Sequence, residues 1–125
     1  MNKNLIFGLV ALLLLIGCGV VEVLVLKDEY KQLYQEMDYL LQQCNDHTLT
    51  VETYQDFCNQ WVDLREKSEL LLPHADVYEI NLRVYETVSY VQKGTYDTAH
   101  AQLCVIKELL GYVPHLITPN FAHIF

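Results

Sequence analysis

The sequence predicts an all-α protein, in which an N-terminal transmembrane helix continues into a small antiparallel bundle of about four helices, arranged as two helical hairpins. An uninterrupted apolar run over residues 5–26 is typical of a membrane span. Behind it, apolar residues recur at three- and four-residue steps in four successive segments, as on the inner faces of helices. Glycine and proline are scarce, at five and three of 125 residues, which favours long helices over many short strands.

The first element is the apolar run itself. It contains sixteen Leu, Ile, Val and Phe residues and a single charge, Glu22. A helix of this length spans about 33 Å, which matches the hydrocarbon core of a bilayer. Its apolar residues contribute about −7 kcal/mol to insertion, and Glu22, near one end, costs less than about 3 kcal/mol. We therefore expect residues 1–26 to be a signal-anchor that contacts membrane lipid through residues 5–26, and residues 27–125 to form a helical domain.

Cys18 leaves a second interpretation of this segment open. The stretch Leu15-Ile16-Gly17-Cys18 is similar to a bacterial lipoprotein box, in which the cysteine is lipidated and becomes the new N-terminus. Against this, the run stays apolar up to Leu26, where a mature lipoprotein usually turns polar. Cys18 is thus a candidate lipidation site, and a soluble protein with a buried first helix is the third alternative.

The charges around the apolar run bear on its orientation. Lys3 and the terminal amine precede it, whereas Lys27 and Lys31 follow it among Asp28 and Glu29, so the positive-inside comparison is close. The domain behind it is acidic, with seven Lys and Arg against fifteen Asp and Glu, and is short enough to be exported. We expect the N-terminus inside and the domain outside the cytoplasm. An acidic surface repels phosphates, so nucleic acid is not an expected partner.

The first two helices of the domain are each predicted from one apolar stripe. No breaker separates the membrane run from the first stripe, so a single helix is expected to leave the bilayer and end near residues 45–46. Thr50 is a fair N-cap for the second helix, which Pro73 closes. The two stripes are Tyr30, Leu33, Tyr34, Met37, Leu40, Leu41 and Cys44, and then Tyr54, Phe57, Cys58, Trp61, Leu64, Ser68, Leu71 and Leu72.

The third helix, over residues 75–93, carries two apolar stripes. Such a helix is usually sandwiched between neighbours, and Gly94 suits the position just past its end. The fourth helix is predicted over residues 96–113, ended by Gly111 and Pro114, with an irregular apolar tail packed along the bundle. The stripes of the third helix are Val77, Ile80, Val84, Val88 and Val91, and then Tyr78, Leu82 and Tyr85.

Several of these features together resemble a known family. They are Trp61, the Leu-Leu-Pro-His that follows it, a Gly-x-Tyr-x-x-Ala turn into a helix, Lys-Glu-Leu-Leu, and a proline before a short apolar end. With the anchor and the acidic helix behind it, the chain is similar over nearly its whole length to domain of unknown function 4363. The resemblance implies a bacterial, short, membrane-anchored helical protein and no known activity. Family members are usually richer in Glu and Lys, whereas this chain has more Tyr, Cys and His.

Cysteine and histidine are the candidate chemical groups of the domain. Cys58 and Cys104 each follow a threonine at a helix start by eight or nine residues, and stacked hairpins would bring their helices side by side. They are a candidate disulfide, with two reduced core cysteines as the alternative. His100 and Cys104 share a helix face at the spacing that metal ligation needs, but no CxxC or HExxH motif supports it. No metal or cofactor site is predicted.

Aromatic residues supply the candidate partner surface: Trp61, Tyr78 and Tyr85, with core packing as the alternative. No catalytic residue is predicted, because the only serines, Ser68 and Ser89, are mid-helix and no Gly-rich phosphate loop is present. We expect a structural or protein-interaction module and not an enzyme, binding another membrane protein or its own copy. The alternative is an extracytoplasmic lipoprotein, or a small-ligand or metal-binding protein, anchored through Cys18.

Overall fold

A computed structural model describes the backbone of residues 2–124 and the side chains of residues 2–115. The chain forms four helices, and residues 2–124 contain no strand. This confirms the predicted all-α class with a long apolar N-terminal helix. The helices are α1 (Asn2–Asn45), α2 (Val51–Ser68), α3 (His74–Gln92) and α4 (Tyr96–Ile124).

The helices form a closed four-helix bundle. Each helix packs on two neighbours, α1 and α3 both lying against α2 and α4, whereas the diagonal pairs α1–α3 and α2–α4 do not come within 8 Å of each other, Cα to Cα, over residues 2–115. The connections, residues 46–50, 69–73 and 93–95, are short, which makes consecutive helices antiparallel. The core therefore lies between four inward stripes, in the interior of the bundle.

α1 is one unbroken helix of 44 residues, about 66 Å long, whose first half is exposed and whose second half packs in the bundle. Its second half buries every third or fourth residue: Leu26, Tyr30, Leu33, Met37, Leu40 and Cys44. Leu26 is only 2% exposed, so the predicted boundary after residue 26 passes through a turn that already belongs to the bundle.

The turn after α1 holds a non-glycine residue in the left-handed conformation, which the sequence did not predict. The amide of Thr48 donates to the carbonyl of Gln43 at 2.8 Å and that of His47 to Cys44 at 3.1 Å, the pattern of a Schellman motif. His47 has φ +59°, a left-handed conformation that costs a non-glycine residue about 1–2 kcal/mol. Its ring stacks on Tyr96 with 4.8 Å between centroids, which offsets part of that cost.

Two predicted caps are confirmed. The Thr50 hydroxyl accepts a hydrogen bond from the third backbone amide of α2 at 3.2 Å. Gly94 has φ +68° and its amide donates to Val91 at 3.2 Å, while that of Thr95 donates to Tyr90 at 2.9 Å. This is a second Schellman motif, with glycine at the position that favours it.

The predicted end of α4 is wrong, because the helix continues from residue 113 to Ile124. Gly111 lies inside the helix, where an added Cβ would be 3.0 Å from the Tyr34 ring, so this glycine serves a close contact with α1 and not a stop. Pro114 removes the hydrogen bond to the Leu110 carbonyl, but a proline inside a helix can kink it without ending it.

The predicted packing of the C-terminal tail lies outside the described side chains. The prediction concerned Leu116, Ile117, Phe121, Ile124 and Phe125. The sequence predicts an irregular tail, but the backbone up to Ile124 is helical.

Candidate partner surface

An apolar stripe lies exposed along α3. Tyr78, Leu82 and Tyr85, here named the α3 outer stripe, are 61%, 45% and 46% exposed. The prediction that both stripes of this helix are sandwiched is wrong for this one. In a closed bundle the two neighbours of a helix both lie on its inner side, so only the stripe of Val77, Ile80 and Val84 finds partners.

Trp61 does not belong to this surface, so the prediction that it contacts a partner is wrong. It is fully buried in α2 and meets the Tyr30 ring edge-on, with 6.4 Å between centroids. Its Nε1 donates to Oδ1 of Asn81 at 3.1 Å, and the same oxygen accepts from Nη1 of Arg65 at 2.9 Å. Asn81 lies one turn from Tyr78 on α3. Trp61 therefore fixes α3 from beneath the α3 outer stripe.

Charged side chains flank the α3 outer stripe with an acidic excess. Arg83 Nε donates to Glu79 at 3.1 Å and Arg83 Nη1 donates to Gln102 at 3.2 Å. The Tyr90 hydroxyl donates to the Glu86 carboxylate at 3.2 Å, which raises the pKa of this tyrosine. One guanidinium thus stands against two carboxylates. An apolar strip with an acidic rim is suited to a partner with an apolar and basic face.

The stripe continues into an open groove of about 510 Å³ between the end of α2 and the start of α3. Tyr78 forms one wall, and Arg65, Glu69 and His74 supply polar groups. Nε of Arg65 is buried and has no hydrogen-bond partner among the described residues. The groove adds mixed polar character to one end of the apolar stripe.

Two buried tyrosine hydroxyls form hydrogen bonds between neighbouring helices of the bundle. The Ser68 hydroxyl donates to the Leu64 carbonyl at 2.7 Å, so the Tyr30 hydroxyl, 2.8 Å from Ser68 Oγ, is the donor of that pair. Burial raises the pKa of Tyr30 to about 12. The Tyr54 hydroxyl donates to the Val84 carbonyl at 2.7 Å, and burial raises its pKa too. The stripe positions were predicted, but their hydroxyl partners were not.

The predicted disulfide between Cys58 and Cys104 is not formed, because the two residues lie on helices that do not pack against each other. Cys58 is buried in α2, Cys104 is exposed on α4, and both are free. α2 and α4 are diagonal in the bundle and lie more than 8 Å apart at these residues, beyond the Cα spacing of a disulfide. The prediction assumed that stacked hairpins place α2 beside α4, but in the closed bundle the neighbours of α2 are α1 and α3. Burial raises the pKa of the Cys58 thiol to about 11.

The other thiols also lack a metal-binding arrangement within residues 2–115. Cys44 donates from Sγ to the Tyr96 carbonyl at 3.2 Å. Burial raises its pKa, helped by the nearby Asp97 and Cys104. Cys104 Sγ lies 3.8 Å from Nδ1 of His100. No three His, Cys, Asp or Glu side chains of the described region converge as a metal-binding group.

The first half of α1 forms the other distinctive surface. Among the described residues, α1 is the one helix long and apolar enough to cross a membrane, and only 6% of its most apolar 18-residue window is buried. A signal sequence meets the same criteria of length and composition. Cys18 is exposed on this segment, beside Leu14 and Val21.

Comparison with known proteins gives no further assignment. No family model, no curated protein and no solved structure matches the chain. The resemblance to domain of unknown function 4363 therefore stays a prediction.

Proposed function

We propose that this chain is a single-pass membrane protein whose helical bundle binds a partner membrane protein through the α3 outer stripe. The observation that carries the proposal is the combination of an exposed apolar stripe on α3 with an apolar helix that joins the same bundle without a break. Isolated exposed apolar residues are ordinary, but three on one helix face, two of them tyrosines, are suited to recognition of a partner along that face. The proposed role is binding, without catalysis.

The charge of the surface favours a different protein over a second copy. A symmetric dimer through the α3 outer stripe would bring the acidic rims of the two copies together, since Glu79 and Glu86 flank the stripe in both. The chain carries a net charge of −8, so such a contact also opposes two acidic domains. The proposed partner has a complementary apolar and basic face.

The proposed topology places the N-terminus in the cytoplasm and the bundle outside it. The alternative anchor, a lipid on Cys18, removes residues 1–17 and leaves eight residues before Leu26 enters the core. Mass spectrometry of the purified N-terminus separates the two anchors. A chain that begins at residue 1 supports the transmembrane helix, and a diacylglyceryl-modified chain that begins at Cys18 replaces it with a lipid anchor.

Site-specific photocrosslinking in intact membranes tests the surface. A benzophenone amino acid replaces Tyr78 or Tyr85 in the full chain, and Tyr39 in the matched control. Tyr39 is 58% exposed but lies on α1, outside the α3 outer stripe. We expect a discrete crosslinked protein from positions 78 and 85 and none from position 39.

Three results would contradict the proposal, in whole or in part. The absence of any crosslink from positions 78 and 85 removes the surface, and an identical pattern from all three positions shows that proximity in the membrane, and not the stripe, determines capture. A crosslink of the chain to itself from positions 78 and 85 keeps the surface but replaces the partner by a second copy.

A further inference from the structure

Among the side chains that the structure describes, the turn between α2 and α3 carries the most exposed large apolar one. Leu70 is 85% exposed, more than any side chain of the apolar run in α1, where the most exposed residues reach 71%. The two leucines after it behave differently: Leu71 packs partly against the core and Leu72 is only 6% exposed. One leucine of three consecutive ones is therefore directed away from the bundle.

Leu70 lies at the end of the bundle where the apolar helix emerges. A groove of about 320 Å³ is lined by Leu70 and Leu71 on one side and by Val21 and Val25 on the other. Leu26 forms its inner wall, and Glu22 and Lys67 complete the lining. Since side chains of one groove share a height along the helix axis, Leu70 lies level with the last turn of the apolar run.

An ion pair lies just above this level. Lys67 Nζ lies 2.7 Å from the Glu29 carboxylate, an ion pair that ties the end of α2 to α1 one turn beyond Val25. From Leu26 down to Leu5, Glu22 is the only charged residue of α1, whereas above the pair charged side chains are frequent and the exposed apolar residues, such as the α3 outer stripe, lie among them. Leu70 thus lies level with the end of the apolar run, where charged residues become frequent along the chain.

We propose that the α2–α3 turn is a second lipid contact, in which Leu70 inserts into the bilayer interface beside Val21 and Val25 and an acyl chain fills the groove between them. The inference rests on the transmembrane anchor of the proposed function. An exposed leucine next to a membrane-spanning helix gains by burial in lipid, and Lys67 extends its head toward the polar side.

A second contact would fix the rotation of the bundle about α1. One attachment through a single helix leaves the bundle free to turn about the membrane normal and to tilt. With Leu70 in the interface, the start of α3 at His74 lies at the membrane surface and Tyr78 lies one turn above it. The α3 outer stripe then faces sideways, toward proteins in the same membrane.

Tryptophan quenching by brominated lipid tests this contact. The full-length Leu70→Trp variant is placed in phosphatidylcholine vesicles with and without brominated acyl chains, and Leu82→Trp is the matched control. Leu82 is exposed but lies two turns further from the groove, on α3. The wild type, whose single tryptophan, Trp61, is buried, gives the background. We expect blue-shifted emission and a loss of intensity for Leu70→Trp, and only background quenching for Leu82→Trp.

The outcomes separate this inference from the proposed function. A Leu70→Trp chain that floats with the vesicles but is quenched no more than Leu82→Trp overturns the lipid contact and leaves the anchor in place. A chain that does not float overturns the anchor and the lipid contact together.

A second measurement uses the unmodified chain and does not depend on how a variant folds. A photoactivatable phosphatidylcholine should label the peptide that contains Leu70 in addition to peptides of the apolar run. Labelling confined to the apolar run would contradict the contact.

Discussion

The two halves of α1 contain similar residues but have opposite surroundings. Leu24 in the first half is 61% exposed, whereas Leu40 in the second half is fully buried. In the first half apolar residues occupy the whole circumference, and in the second half they recur every three or four positions. A helix that is apolar all round needs an apolar solvent, whereas a helix with one apolar stripe needs a neighbouring helix.

α3 shows the limit of this rule. Both of its stripes have helical spacing, yet α2 and α4 cover only one of them. Spacing therefore tells which residues share a face, but the number of neighbours in the assembled bundle decides which face is covered. The following predictions compare buried with exposed members of the same classes of residue, from the largest expected effect to the smallest.

The largest effect is expected at the aromatic residues of the predicted partner surface. Trp61→Ala empties a fully buried site and removes the hydrogen bond to Asn81, so the free energy of unfolding should fall by about 3–5 kcal/mol. Tyr78→Ala should change it by less than about 0.5 kcal/mol, because its ring is 61% exposed. Denaturant unfolding in mild detergent measures both. Equal losses for the two variants would show that the α3 outer stripe is covered.

Leucines in the two halves of α1 provide the next comparison. Leu40→Ala should lower the free energy of unfolding by about 2–5 kcal/mol, since it leaves a cavity in the core. Leu24→Ala should leave the unfolding of the bundle unchanged. Both variants keep the same helix and the same chemical change. A loss at Leu24 as large as that at Leu40 would place the first half of α1 inside a packed core.

The free energy of unfolding should decrease at alkaline pH. The folded pKa of Tyr30 is raised from 10.0 to about 12 by burial. Between these values the unfolded state loses its proton first, so stability present below pH 10 is lost as the pH rises toward 12, by about 3 kcal/mol. Cys58, raised from 9.0 to about 11, starts the decrease near pH 9. Denaturant titrations at several pH values measure this. A flat profile up to pH 12 would mean that Tyr30 is exposed.

The smallest effect concerns a single buried hydroxyl. Tyr30→Phe keeps the ring against Trp61 but removes the donor to Ser68, so the free energy of unfolding at neutral pH should fall by about 1 kcal/mol. The same variant should lack the part of the alkaline decrease that Tyr30 causes. Tyr39→Phe, on the exposed side of α1, is the matched control and should change neither quantity.

Apolar periodicity was sufficient to predict four helices and the buried stripes of the first three, and residue type predicted the caps at Thr50 and Gly94. It was not sufficient for pairing, because spacing along one helix does not state which helix lies beside it. Cys58 and Cys104 were assigned to adjacent helices that are in fact diagonal. Nor did periodicity distinguish the buried Trp61 from the exposed Tyr78, since a bulky aromatic residue suits a core and an interface equally.

The end of α4 shows a different limit. Gly111 and Pro114 are residues that often end helices, but the close approach of the Tyr34 ring gives Gly111 a reason to lie within one. A contact between residues far apart in the sequence cannot be read from the residues around a glycine. The positive φ of His47 is of the same kind, since its stacking partner, Tyr96, is distant along the chain.

The central claim is that lipid surrounds the exposed first half of α1. Flotation of the full-length chain from cells lysed without detergent, with an alkaline wash of the membranes, tests it most directly. The chain should remain with the membrane fraction through the wash and dissolve only when detergent is added. Full-length chain recovered freely dissolved after lysis would contradict the claim.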